Sequence, residues 1–212
     1  MRYDPLRRHR RSIRLKGYNY ARPGAYFVTI CVQGRLCLLG EIVGGDMARN
    51  DAGRMVEEWW RKLPDKFPIV EIDQYIVMPN HMHGIIVITE WGDKEGVHEA
   101  GQTTVEVGRT RGFAPTDADP TVGADPGVRP DRPRIIQWFK TMTTNAYIRG
   151  VHEGQWAPFC KRLWQRSYYE HIIRDDADLE RIRAYIVDNT AHWAADPENI
   201  VNWAQSSARE AR

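Results

Sequence analysis

Residues 69–88 constrain the fold of this chain more than any other stretch. Ile69 to Val77 and His81 to Ile88 are two extended apolar runs, separated only by Met78-Pro79-Asn80. Pro-Asn is turn chemistry, and Pro79 has no amide to give to a ladder. The two runs therefore read as the arms of a β-hairpin with the proline in the connection.

The flanking segments supply the other layers. Tyr26 to Gln33 (YFVTICVQ) follows the turn signal Pro23-Gly24 and reads as a strand, with a second short strand from Leu38 to Val43. At Asn50 the spacing becomes helical: Met55, Trp59 and Leu63 are four apart, Asn50 or Asp51 can cap the start, and Pro64 stops a helix of about thirteen residues. Ile135, Phe139, Met142 and Ala146 predict another helix closing at Gly150. Leu163 to Ile173 reads as a strand, and Asp175-Asp176 opens a last helix through about Asn189, with Leu179, Ile182 and Ile186 as its apolar stripe. Strands joined mostly by hairpins and mixed with helices argue for an α+β fold. The simplest closed form is a ferredoxin-like sandwich, an antiparallel sheet with helices packed on one face.

Residues 91–134 break this pattern, with seven glycines and five prolines in 44 residues. Such a stretch buries too little to offset chain entropy and reads as a mobile insertion. The expected organisation is a basic arm at 1–22, a single domain at 23–205 carrying that insertion, and a tail at 206–212. The arm holds eight cations and one acid, +7 locally, so the rest of the chain is at −5 for a net +2. Arg7, Arg8, Arg10, Arg11, Arg14 and Lys16 suit a polyanion, and Tyr3, Tyr18 and Tyr20 among them can stack on bases.

No stretch approaches the roughly 18 apolar residues of a membrane span, and no apolar run follows the basic N-terminus as in a secretory signal. Cys31, Cys37 and Cys160 form neither an even set nor a C-x-x-C pair, which points to reduced thiols in the cytoplasm. No G-x-x-x-x-G-K-[ST] stretch calls for a nucleotide cofactor.

In a strand beginning at His81, alternation places His81 and His83 on one face about 7 Å apart at the backbone, within reach of one ion. Two half-wet, hydrogen-bonded imidazoles at a hairpin mouth fit the spacing equally well. In the last helix Tyr185 and Asn189 are four apart and share a face. A phenol beside a cation can serve as a nucleophile, and an amide oxygen one turn on can ligate a hard divalent ion.

YIVMPNHMHGIIVI, LWQRSYYEHIIRD and DLERIRAYIVDNT together resemble the single-tyrosine HUH transposases, most closely the REP-associated tyrosine transposases. The resemblance runs from about Tyr18 to Trp203, outside the insertion. It implies an HUH-type active site with His81, His83 and Asn189 on Mg²⁺ or Mn²⁺ and Tyr185 as the nucleophile. Thr190 stands where relatives often carry proline. The implied activity is cleavage and rejoining of single-stranded DNA at palindromic repeat hairpins through a 5′-phosphotyrosine, by a nucleoid-associated monomer or homodimer. Arg134 and Lys140 join the arm as candidate phosphate contacts. Tyr147, Tyr168 and Tyr169 are rival nucleophiles, and His171 is either a proton shuttle or a structural histidine. Two other functions remain open: a metal-dependent hydrolase in which His81 and His83 activate water, and a non-catalytic nucleic-acid-binding module.

Overall fold

A computed structural model describes residues 23–89, 132–199 and 202. The chain divides at residues 90/91 and 129/130, and every described residue belongs to the unit formed by 1–90 and 130–212. The arm, most of the insertion and the tail lie outside the described residues.

The order of elements is β1 (Gly24–Cys31), β2 (Gly40–Val43), β3 (Asp46–Arg49), α1 (Asp51–Arg61), the single turn α2 (Leu63–Lys66), β4 (Val70–Val77), β5 (His81–Ile88), α3 (Arg132–His152), β6 (Tyr169–Ile172) and α4 (Asp176–Val187). Four strands form one sheet in the order β4-β5-β1-β6, with every neighbour antiparallel. This is the strand order of a ferredoxin-like sandwich, as expected. The hairpin is β4 and β5, and Met78 N donates to His81 O across its mouth at 2.8 Å.

Alternation gives the sheet two different faces. Val28, Ile30, Met82 and Ile86 point to a large core shared with Trp60 of α1 and with Ile135, Ile136 and Phe139 of α3. Gly84 lies in this core because Trp60 leaves it no room: a Cβ there would sit 2.4 Å from the indole Cζ2. Phe27 and Ile85 point the other way and meet Ile182 and Ile186 of α4. Helices α1 and α3 thus cover one face, whereas α4 lies across the opposite one, which an arrangement with helices on one face does not include. The cause is the outward pair Phe27 and Ile85, which needs cover of its own.

Other boundaries moved for identifiable reasons. Asn50 caps α1 by accepting from Gly53 N at 2.9 Å, but Pro64 opens α2 instead of ending the run. Pro133 likewise sits in the first turn of α3, so Arg132, Pro133 and Arg134 are helical although they read as the end of the insertion. The strand near Leu38 starts at Gly40 and pairs with β3 in a separate ribbon, turned by Gly44 and Gly45 at φ of 62° and 94°. Only Tyr169–Ile172 of the stretch 163–173 is strand. Upstream of it the carbonyls of Gln165 and Ser167 accept from the Lys140 ammonium, at 3.0 and 3.2 Å.

Candidate functional site

The antiparallel register builds the site in rows on the face that α4 crosses. Thr29 on β1 stands opposite both His83 and Tyr169, and Phe27 opposite both Ile85 and His171. Thr29 Oγ1 is 2.9 Å from His83 Nδ1, and the Phe27 ring stacks on the His83 imidazole at 5.3 Å between centroids. His81 and His83 are both buried, and their Nε2 atoms are 3.0 Å apart.

The hydrogen bonds around His81 fix its proton. Asn80 Nδ2 donates to the carbonyls of Arg35 and Glu198, at 3.1 and 2.8 Å, which orients the amide. The Asn80 Oδ1 left over lies 2.8 Å from His81 Nδ1 and can only accept. Nδ1 therefore carries the proton by this assignment, and the lone pair of His81 Nε2 faces the site. Burial, reinforced by His83 and Arg35, holds His81 well below the usual histidine range, and burial holds His83 down at about 3. Both rings are neutral at pH 7, the state a metal ligand requires.

Helix α4 delivers the phenol. Asp175 caps its start by accepting from Asp178 N at 2.8 Å, Ile182 and Ile186 seat it on the sheet, and Arg183 Nε reaches both carboxylate oxygens of Asp73 at 3.2 Å. Tyr185 then overhangs the histidines, with its hydroxyl 3.3 Å from His83 Nε2 and its ring edge-on to Phe27. The side chain is half exposed and opens into a cleft of about 500 Å³ that also touches Tyr169, His171 and Asp196. Partial burial and the Asp196 charge push its pKa above the ordinary phenol value, and the Asn189 amide pulls it back.

Asn189 lies just past the helix, which ends at Val187, and not inside it. It is buried all the same, and its Oδ1 has no hydrogen-bond partner among the described residues. The sequence reading missed Asp196, which follows a 3₁₀ turn at Trp193–Ala195. Its Oδ1 accepts from Glu198 N at 2.6 Å, while its Oδ2 is buried, 3.8 Å from His81 Nε2, and has no hydrogen-bond partner among the described residues. His81, His83 and Asp196 offer ligand atoms that all lie within 4.8 Å of one another. Burial raises the Asp196 carboxyl to about 6, partly offset by Arg35.

His81, His83 and Asp196 fit a divalent cation: two neutral imidazoles with converging nitrogens, plus a buried carboxylate oxygen that has no hydrogen-bond partner among the described residues. Nothing in the spacing of the sequence marks Asp196. Asn80 and Thr29, which set the ring orientations, were also unmarked, although Asn80 adjoins the histidine pair.

The other candidate residues separate clearly. Tyr147 is buried and donates to Ala157 O at 2.9 Å, which removes it as a nucleophile. Tyr168 and Tyr169 line the cleft, and His171 Nε2 lies 2.7 Å from Asp178. Burial lowers the Lys140 ammonium to about 8, and it donates to the Gln165 and Ser167 carbonyls. Arg134 is exposed in the first turn of α3, and Arg7, Arg8, Arg10, Arg11, Arg14 and Lys16 lie outside the described residues.

Comparison with known proteins gives one sequence relative at high coverage. An uncharacterized protein of Haemophilus influenzae is 36% identical over 192 residues, spanning 89% of this chain and 92% of that one. The two proteins belong to one family. No protein-family model matches the chain. Among solved structures, a REP-associated tyrosine transposase bound to a REP hairpin is 18% identical with a TM-score of 0.47, over 84% of this chain and 72% of that one. A Deinococcus radiodurans protein described as a candidate transposase is 14% identical with a TM-score of 0.40, over 84% and 96%. No helix among the described residues is long and apolar enough to cross a membrane.

Proposed function

We propose that the chain cleaves and rejoins single-stranded DNA through a covalent bond to Tyr185. The observation that carries this reading is the phenol oxygen 3.3 Å from His83 Nε2, at the edge of an open cleft. His81, His83 and Asp196 would hold a divalent cation, with Asn189 Oδ1 as a further oxygen donor. Such an ion would supply charge neutralisation at a nonbridging oxygen of the scissile phosphate and favour the phenolate. Mg²⁺ or Mn²⁺ is the proposed ion, and the donor set of two nitrogens and oxygens suits Mn²⁺ better by ligand type.

The chain's own residues do the rest. Tyr185 Oη gives up its proton to solvent in the open cleft and attacks phosphorus as the bond to the 3′ oxygen breaks. The strand is left as a 5′-phosphotyrosine with a 3′-hydroxyl once that oxygen takes a proton. Attack by a 3′-hydroxyl reverses the step, so no nucleotide is consumed. His171, oriented by Asp178 on the same cleft, is placed to hold a proton. The substrate is a palindromic hairpin with a single-stranded flank, and the protein acts as a monomer in the cytoplasm beside the nucleoid. The basic arm and Arg134 add phosphate contacts.

The test is a labelled hairpin oligonucleotide incubated with Mn²⁺ or Mg²⁺ and resolved on a denaturing gel. A covalent adduct lost in Tyr185→Phe is expected. No adduct with the wild type, or one that survives the substitution, overturns the reading. The competing function, water activation by the histidine pair, requires cleavage that Tyr185→Phe leaves intact.

A further inference from the structure

A second groove, of about 510 Å³, opens on the outer side of α3 and meets the catalytic cleft at Gln165 and Tyr168, which line both. One wall is the polar face of α3, where Gln137, Thr141 and Asn145 recur four apart and are exposed. The other wall is the segment 161–166, KRLWQR. Lys161, Arg162 and Arg166 are exposed along it.

The charge of this groove is one-sided. No carboxylate lines it. Lys161, Arg162 and Arg166 have no acidic partner among the described residues. Arg35, Arg49, Arg54, Arg61, Arg181 and Arg183 each pair with one. Unpaired cations facing amide groups are built for an anion that arrives from outside.

The segment that carries them is also held firmly. Leu163 and Trp164 are buried between the cations, and Trp164 Nε1 donates to the buried Thr143 Oγ1 at 2.8 Å. Gln33 N donates to Leu163 O at 2.7 Å, and Gln165 N to Cys31 O at 2.9 Å. The Lys140 ammonium fastens the carbonyls of Gln165 and Ser167 from beneath. Lys161 itself takes a left-handed backbone, φ 64°, a conformation that a residue with a side chain holds only when its surroundings impose it. Anchoring of this kind lowers the ordering cost of binding.

We infer that this groove binds the sugar–phosphate backbone of the single strand that continues out of the catalytic cleft. The inference rests on the reading of that cleft as a DNA-cleaving site. The contacts are charge-based, with Arg162 and Arg166 on phosphates and the Gln137 and Asn145 amides as neutral donors. Tyr168 lines both grooves at the junction where the strand passes from one to the other. Binding here adds affinity and register without reading sequence.

The experiment measures binding of a fluorescent hairpin oligonucleotide with a single-stranded flank, by anisotropy over a salt series, with the full chain. Arg162→Gln/Arg166→Gln is compared with wild type and with Lys66→Gln/Arg149→Gln, a pair of equal charge loss that lines neither groove. The groove variant should weaken binding about tenfold and lower the slope of log K against log salt by about 1.4, about 0.7 for each single-strand contact. The loss should be the same for unrelated flank sequences and disappear when the flank is trimmed away, with the melting temperature unchanged. Wild-type affinity and slope in the groove variant, or an equal loss in the control pair, overturns the groove alone if the wild type still binds and cuts. An equal loss on a blunt duplex assigns the cations to duplex backbone and overturns the single-strand reading. A wild type that binds no strand overturns both the groove and the cleft.

Discussion

Asn80 Oδ1 lies 2.8 Å from His81 Nδ1, and that contact decides which nitrogen of His81 faces the site. Asn80 is itself held by two backbone carbonyls, those of Arg35 and Glu198, so the ring is oriented by the turn after β1 and by the chain beyond α4 together. Loss of such an outer partner typically weakens a metal site by 10- to 100-fold. Asn80→Ala should therefore lower Mn²⁺ affinity by about that factor in isothermal titration. It should also cost about 1–3 kcal/mol of stability through the carbonyls left unpaired. Wild-type affinity in a folded Asn80→Ala protein would show that the tautomer is set elsewhere.

Tyr185→Phe keeps the ring that packs edge-on against Phe27 and removes only the hydroxyl. Covalent adduct should vanish, while Mn²⁺-induced stabilisation stays within about 0.5 kcal/mol of wild type, the usual range for a change away from buried features. Thermal melts with and without Mn²⁺ separate this outcome from general damage, which would lower both.

Asp196 supplies a pH dependence whose sign differs with and without metal. Its carboxyl titrates at about 6 in the folded chain, against about 4 when unfolded. Without metal the unfolded chain ionises first, so this group's contribution to stability declines as pH rises from about 4 to about 6. With metal the ligand must be ionised, so affinity should fall about tenfold per pH unit below 6 and level off above it. His81 and His83 stay neutral through this range and add no step. Mn²⁺ titrations from pH 5 to 8 should show the break in wild type and none in Asp196→Asn.

Gly84→Ala tests the other face of the same strand. The new methyl would press on the Trp60 indole, and overpacking of this kind typically costs about 1–3 kcal/mol. Urea denaturation should report that loss, with metal affinity little changed because His81 and His83 face away from Trp60. A neutral Gly84→Ala would mean that the indole can slide.

What the sequence disclosed was what local spacing encodes. The hairpin, the shared face of His81 and His83, and the seating of Tyr185 next to Ile186 all follow from periods of two and of 3.6. Asp196 was invisible because it reaches His81 across more than a hundred residues from an irregular turn. The bonds of Lys140 were equally invisible, because a lysine on a helix gives no local sign that its ammonium will donate to carbonyls 25 and 27 residues away. The β2–β3 ribbon, by contrast, had its signal in Gly44-Gly45. Asn189, read as part of the last helix, follows its end and is buried there.

Helix α4 rests on the sheet mainly through Ile182 and Ile186, whereas α1 and α3 share a core many times larger. A buried side chain of this kind contributes about 1.5–3 kcal/mol, so the proposed nucleophile Tyr185 rides on the most loosely fastened layer among the described residues. On gentle warming its aim should be lost while the rest still stands. Catalysis would then fail several degrees before circular dichroism registers any melting.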